Sequence, residues 1–402
     1  MNFTIDNIPF GIFSVKNGRK RLATIINDQV VDLYALADLG YFDDLKIKKS
    51  VFKNDFLNNF ISLGKDKTKA VRKRLQEILA DPTPKITHPA QPITHHLNDV
   101  QLHLPIKIGD YTDFYSSEQH ATNVGKMFRP DGDALLPNWK HLPVAYHGRA
   151  SSIFVSGENF HRPKGQVNAS DTTLPVFSPT KRLDIELEMA TIIGKNNLIG
   201  HSIDVNAAED YVFGFTLFND WSARDIQRWE YVPLGPFLAK NFFSSMSPWV
   251  VTLEALEPFR AAAETQKPEV LAYLKEEKRH HFDIQLEVIL KTQHTEGIII
   301  SQSNFKNMYW TVAQQIAHHT VNGCNLNVGD VMGSGTISGK TPDSFGSLLE
   351  LTWGGKNPIT LPDGSTRTFL EDGDTIIIKG FAEKDGIRVD FGEVKTTILP
   401  IK

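Results

Sequence analysis

Acids alternate with apolar residues in Arg182-Leu-Asp-Ile-Glu-Leu-Glu-Met-Ala190, where Asp184, Glu186 and Glu188 interleave with Ile185, Leu187 and Met189. Alternate residues of a strand share a face, so a strand through this segment would line three carboxylates along one side. Carboxylates so close repel one another, and proton uptake or a cation relieves them. An ordinary amphipathic strand with a wet acidic face shows the same alternation. A second acid changes the balance. Residues 212–218 read as a buried strand that runs directly into Asn219-Asp-Trp-Ser-Ala-Arg-Asp-Ile-Gln-Arg-Trp-Glu-Tyr231. Ser222 with Asp225 three residues later has the form of a capping box, which puts Asp220 at a strand end beside a helix start. On that helix Arg224, Gln227 and Tyr231 are spaced by three and four, so a guanidinium, an amide and a phenol share a face. A third stretch, residues 108–125, supplies Asp113 and His120 with little periodicity, and Arg129, Tyr146, His147 and Arg149 follow it. Functional groups concentrate on such segments.

Other motifs fail on spacing. Gly333-Ser-Gly-Thr-Ile-Ser-Gly-Lys-Thr341 approximates a phosphate-binding loop, but Ser334 stands where the first glycine is required. Asp131-Gly-Asp133 lacks the alternating ligands and final Glu of a calcium loop. The His pairs at 95–96, 280–281 and 318–319 are adjacent, so their side chains diverge, which argues against a shared zinc. The single cysteine, Cys324, rules out an internal disulfide framework and a thiolate metal site. No G-x-S-x-G elbow is present, which favours water over a side chain as any hydrolytic nucleophile.

These groups must be positioned by a chain of 402 residues, 41% hydrophobic and 22% charged, enough apolar material for a large core and two domains. The start has no basic region followed by an apolar core, and no run is long enough to span a membrane, so a cytosolic protein is the default. Residues 1–105 carry a net charge of +4 and the remainder −8. An acidic large part does not suit nucleic acid and does suit a cation site. The clearest boundary is Asp81–Pro92, with four prolines in twelve positions, read as an extended connector. Before it, residues 10–15, 22–26 and 29–33 are short apolar runs joined through Asn17-Gly18 and Asn27-Asp28, which predicts a small β-meander or barrel. Val71, Leu75, Ile78 and Leu79 make a helical stripe behind it, its Lys65–Arg74 basic run read as a solvated face. From about residue 100 the pattern is many short strands (185–193, 211–218, 249–253, 282–290, 297–300 and 375–380) and one main helix, 307–321, ended by Asn322-Gly323. There is no βαβ rhythm, so the fold class is α+β, predominantly β.

Six segments carry a resemblance: 109–125, 135–153, 183–190, 219–242, 304–326 and 334–339. Together they resemble the fumarylacetoacetate hydrolase family over nearly the whole chain. The His-bearing segment at 120–125 and the N-terminal unit narrow this to the branch that cleaves 4-fumarylacetoacetate to fumarate and acetoacetate, the last step of tyrosine and phenylalanine degradation. The resemblance implies an SH3-like N-terminal barrel with connector over 1–100, a C-terminal mixed β-roll catalytic domain over 101–402, and a cytosolic homodimer. By matching position it implies Ca²⁺ on Asp113, Glu186, Glu188 and Asp220, and Mg²⁺ at Asp220, Lys240 and Ser244, where Phe243-Ser244 replaces the family's Gly-Thr. An all-oxygen set independently favours Ca²⁺, Mg²⁺ or Mn²⁺ over zinc. Asp184 is in phase but matches no family ligand. The resemblance further makes His120 the general base, oriented by Glu350. Arg224, Gln227 and Lys240 become oxyanion donors, and Tyr115, Arg129, Tyr146, Gln227, Tyr231 and Thr336 substrate contacts. The nearest alternative is a related hydrolase or decarboxylase of acylpyruvates or β-keto acids. An alternative from another class is a metal-binding protein without catalysis.

Overall fold

Strands Phe10–Val15, Arg21–Ile26 and Gln29–Asp32 form the expected antiparallel meander. The computed structural model describes residues 2–16, 18–80, 91–168 and 174–402. Asn17 and residues 81–90, on which the first turn and most of the expected connector fall, lie outside the described residues. The second turn is the two-residue Asn27-Asp28 hairpin. Asn27 takes φ 53°, a left-handed conformation that asparagine tolerates better than most residues. The meander does not close on itself among the described residues. Phe10–Val15 pairs with Arg21–Ile26 along one edge, and along the other with Trp249–Thr252 of the large sheet, through Phe10↔Val250 and Gly11↔Trp249, and then with Val100–His103. Gly11 permits this junction, because a Cβ there would stand 2.7 Å from both Pro248 O and the Trp249 ring.

The resulting 13-stranded mixed sheet runs from Thr94–His96 through the meander to Trp249–Thr252, Val212–Asp220, Leu187–Ile193, Val331–Gly333, Tyr111–Phe114 and Ala145–His147. A second sheet of five strands orders Ile298–Asn304, Gln285–Lys291, Thr375–Lys384, Ile387–Leu399 and Phe160–His161. The main core lies between them, with Phe215, Leu217 and Val251 from the first sheet against Leu286, Ile378 and Phe391 from the second. The opposite face of the central strands packs Ala190, Ile192, Phe213 and Val331 against the meander and its helices. Leu187–Ile193 and Val212–Asp220 are therefore buried on both faces, and neither has a wet acidic side.

Three local expectations change. The predicted 185–193 strand is interrupted: Leu183–Asp184 pairs with Ser222–Ala223, and the main strand begins only at Leu187. Helix Arg224–Glu230 has Ala223 as its cap residue and no side-chain cap. Ser222 Oγ donates instead to Asp220 O, while Asp225 accepts from Lys181 N (2.8 Å) and the Thr180 hydroxyl. The long helix is shorter than its stripe, Val312–Thr320, because Thr311 and Gln314 build a reciprocal capping box there. Gly323 follows at φ 91°.

Candidate active site

Three strands of the large sheet deliver the acids, with Val331–Gly333 lying between the first and second of them. Asp113 comes from Tyr111–Phe114, Glu188 from Leu187–Ile193 with Glu186 just before it, and Asp220 ends Val212–Asp220. Parallel pairing sets Gly333 opposite Asp113. A Cβ at Gly333 would stand 2.7 Å from Asp113 Oδ1 and 2.8 Å from Glu188 Oε2, so the carboxylates fill the space that only glycine leaves. Asp113, Glu186, Glu188 and Asp220 are all buried, and each offers an oxygen within 4.8 Å of the others'.

Burial, then neighbouring carboxylates, push Asp113 and Glu188 well above the ordinary carboxylate range. Asp220 is also raised, by burial, against the opposing pull of Lys240. Glu186 goes the other way: burial opposes its charge, but Lys240 and Arg224 outweigh burial and hold it low. Asp113 Oδ1 and Glu188 Oε1 are buried and make no hydrogen bond. Unpartnered buried oxygens on mutually repelling acids fit a divalent cation, and an all-carboxylate set fits a hard one.

Lys240 is no surface lysine. Its Nζ lies 2.6 Å from Glu186 Oε2 and 2.9 Å from Asp220 Oδ2 at 6% exposure. Asp220 also accepts from Tyr146 OH (2.9 Å) and Ser244 Oγ (2.8 Å). Arg224 Nη1 donates to Glu186 Oε1 (2.7 Å) and Gln227 Oε1 (3.0 Å), while its Nη2 is buried and unpartnered. Asp184 is separated from the acid cluster by the strand break and pairs with Arg224 instead.

His120 sits in the first turn of helix Glu118–Phe128, capped by Ser117. Its Nδ1 lies 2.6 Å from Glu350 Oε2, 230 residues away. With the Nδ1 proton donated to that carboxylate, Nε2 is left to accept one. Glu350 Oε2 accepts further hydrogen bonds from Ser338 Oγ (2.9 Å) and Ser347 Oγ (2.8 Å), and Oε1 from Asn123 Nδ2 (3.0 Å). Burial opposes ionisation of Glu350, but the His120 ring with the Asn123 and Ser347 donors outweighs it and holds the pKa below its ordinary value. Asn123, Ser338 and Ser347 escaped the sequence reading. Asn123 lies three residues after His120 on one helix, and Ser347-x-x-Glu350 is a helix-start pattern, so two of the three left a signal.

A cavity of about 580 Å³ is lined by His120, Arg224, Gln227, Lys240, Asp113 and Glu186 together with Tyr115, Arg129, Tyr146, Tyr231 and Thr336. Thr336 Oγ1 is buried without a partner, Tyr115 stands edge-on to His120, and Tyr231 is at the rim, 43% exposed. Arg129 donates to the carbonyls of Asp133 and Ala134 in its own loop. Glu188 and Glu350 stand behind the wall. Asp220 and Ser244 face a second recess of about 490 Å³, shared with Tyr146, Lys240, His147 and Arg149. The near-miss loop at 333–341 forms no phosphate cradle: strand Val331–Gly333 is followed by extended chain and one 3₁₀ turn.

Comparison with known proteins places this arrangement. Residues 110–399 match the family model of the fumarylacetoacetate (FAA) hydrolase C-terminal region, and residues 6–105 that of the fumarylacetoacetase N-terminal region. The chain is 49% identical over 405 residues to fumarylacetoacetase of Arabidopsis thaliana, covering 99% of this chain and 96% of that one. It is 48% identical over 404 residues to the Homo sapiens fumarylacetoacetase, with the same coverage. Among solved structures, a fumarylacetoacetate hydrolase from Exiguobacterium antarcticum superimposes with TM-score 0.54 at 18% identity, covering 98% of this chain and 99% of that one. A maleylpyruvate hydrolase from Sphingobium gives 0.53 at 17%, covering 98% and 100%. Those two show the mixed, sheet-dominated fold. With both family models matched end to end and near-half identity over the full length, the chain belongs to the fumarylacetoacetate hydrolase family.

Proposed function

We propose that this chain hydrolyses the carbon–carbon bond of 4-fumarylacetoacetate, releasing fumarate and acetoacetate as the last step of tyrosine and phenylalanine degradation. One observation carries the reading: a single cavity is lined at once by a histidine held by a buried carboxylate, two buried cationic side chains and two acids of the cluster. The activity of the full-length relatives supports it.

His120 Nε2 takes a proton from water as its oxygen attacks the ketone carbon of the fumaryl half. Glu350 stabilises the imidazolium so formed and keeps the ring oriented. The alkoxide meets Arg224 Nη2, the guanidinium nitrogen without another partner, and the Lys240 ammonium. Gln227 braces Arg224. Collapse of the alkoxide breaks the carbon–carbon bond. The electron pair leaves on the acetoacetate carbon as an enolate, and the imidazolium returns its proton there. Tyr115, Arg129, Tyr146, Tyr231 and Thr336 hold the substrate and its carboxylates. Asp113, Glu186, Glu188 and Asp220 would hold Ca²⁺, and Asp220, Lys240 and Ser244 would hold Mg²⁺. A divalent cation bound there supplies Lewis-acid stabilisation of the enolate.

The same reading includes an SH3-like unit over 1–100 and a β-roll over 101–402, a division supported by the break between the two family matches. It includes a homodimer in the cytoplasm. Trp229, Val232, Leu234, Phe237 and Leu238 form an exposed apolar strip beside the cavity, which supports self-association. Among the described residues no helix is long and apolar enough to cross a membrane. Incubation with fumarylacetoacetate and with a panel of acylpyruvates, products read by NMR, tests the assignment. Fumarate with acetoacetate is the expected pair, and turnover of acylpyruvates alone would replace it with the related-hydrolase reading.

A further inference from the structure

Asp184 is the acid that the cation cluster leaves out. It is fully buried, and all of its acceptor capacity is used. Oδ1 accepts from Ile185 N (2.8 Å) and Leu348 N (2.7 Å), and Oδ2 from Leu349 N (3.0 Å) and Arg224 Nε (2.8 Å). These partners belong to the two halves of the site. Arg224 presents the unpartnered Nη2, and the short helix Leu348–Leu351 carries Glu350, which holds His120.

We infer that Asp184 is a positioning residue for the reaction, one buried carboxylate that fixes the aim of Arg224 relative to the backbone carrying the partner of His120. The inference rests on the proposed reaction. A guanidinium has a rigid planar fork, so fixing two of its nitrogens fixes the third. Asp184 takes Nε and Glu186 with Gln227 takes Nη1, which leaves Nη2 in one place. Glu186 alone is a poor anchor because it is shared with Lys240 and the acid cluster. The pairing Asp184↔Ser222 sets this carboxylate two residues from Arg224 across the ladder, and the strand break after Asp184 turns it away from Glu186 and Glu188. Asparagine cannot replace it: an amide NH₂ would face either the Leu349 N–H with Arg224 Nε–H, or the amides of Ile185 and Leu348.

The test is a double-mutant cycle of Asp184→Asn with Arg224→Lys, with kcat and KM measured for fumarylacetoacetate hydrolysis. Asp184→Asn should lower kcat on the order of 10²-fold with little change in KM, because misplacing a donor costs transition-state contacts. In the Arg224→Lys background the same change should add only a small part of that loss, since the group it aims is already gone. Unchanged kcat in Asp184→Asn, or equal losses in both backgrounds, would overturn the inference. Should Asp184→Asn not fold, ¹⁵N-arginine-labelled wild-type enzyme decides. The Arg224 Nε–H resonance, identified by its loss in Arg224→Lys, should be protected from solvent exchange, and exchange as fast as that of exposed arginines would overturn the placement. Wild-type enzyme that releases no fumarate would sink the reaction assignment, and the Nε–H measurement would still judge Asp184.

Discussion

Replacing Lys240 by Met keeps much of the side-chain length and deletes an ammonium that lies 2.6 Å from Glu186 and 2.9 Å from Asp220. At an effective dielectric constant of about 20, each contact represents roughly 6 kcal/mol of Coulomb attraction, set against a desolvation penalty of several kcal/mol for the buried ammonium. Glu186 would retain Arg224, but Asp220 would keep only the neutral donors Tyr146 and Ser244. Losing one partner of a buried ion pair costs about 3–5 kcal/mol. Over 402 residues that corresponds to a fall in Tm of about 4–6 °C for the cation-free protein. The same deletion removes a positive charge next to two of the acids proposed to hold the cation, so Ca²⁺ should raise Tm more in Lys240→Met than in wild type. With the proposed oxyanion donor gone, kcat should fall by about 10²–10³-fold even when the site is loaded. Differential scanning fluorimetry with and without Ca²⁺, beside steady-state kinetics, measures all three. Wild-type kcat and KM would refute the oxyanion role, and a cation-free Tm equal to wild type would refute the electrostatic argument.

His120→Asn should fold normally and lose about 10²-fold or more in kcat, with Glu350→Gln also impaired, and near-normal turnover in His120→Asn would place the base elsewhere. Chelator dialysis should lower both activity and Tm, since four buried acids then repel, with recovery on adding back Ca²⁺, Mg²⁺ or Mn²⁺; full activity in a verified metal-free sample would remove the cation from the reaction. Far from the site, burial pushes Glu276 up to about 7, against a hydrogen bond from Thr311 and the charge of Arg279. The folded state therefore binds more protons than the unfolded one between about 4.5 and 7. This group's contribution to stability is full below that window, falls by as much as ~3 kcal/mol across it and is lost above it. Urea titrations of Glu276→Gln should show a flatter stability profile over that window than wild type, and identical profiles would contradict it.

Local pattern carried the strand and helix types well. The runs at 10–15, 212–218 and 375–380, the Asn27-Asp28 turn and the Gly323 stop follow from periodicity, propensity and turn chemistry within a few residues of one another. The site residues Asp113, Glu186, Glu188, Asp220, Arg224 and His120 were legible as chemistry-bearing types on strands, a helix and a loop, and resemblance added Lys240 and Glu350. Where local rules failed, a tertiary partner won. Ser222 and Asp225 form no capping box because Asp220 O, the Thr180 hydroxyl and the Lys181 amide claim them. Asp184 left the phase of its neighbours because Arg224 and the amides of Leu348 and Leu349 hold it elsewhere.

By itself the sequence determined which segments alternate, where turns fall and which side chains could bear charge, because those depend on neighbours a few positions away. Only the tertiary structure decided that the acids are buried on a two-faced sheet, that Lys240 lies between Glu186 and Asp220, and that Asp184 serves Arg224. It also decided that the donors on Glu350 converge from Asn123, Ser338 and Ser347. Burial and charge pairing are set by strand order, which joins residues as far apart as His120 and Glu350, and no local periodicity encodes which strand lies beside which.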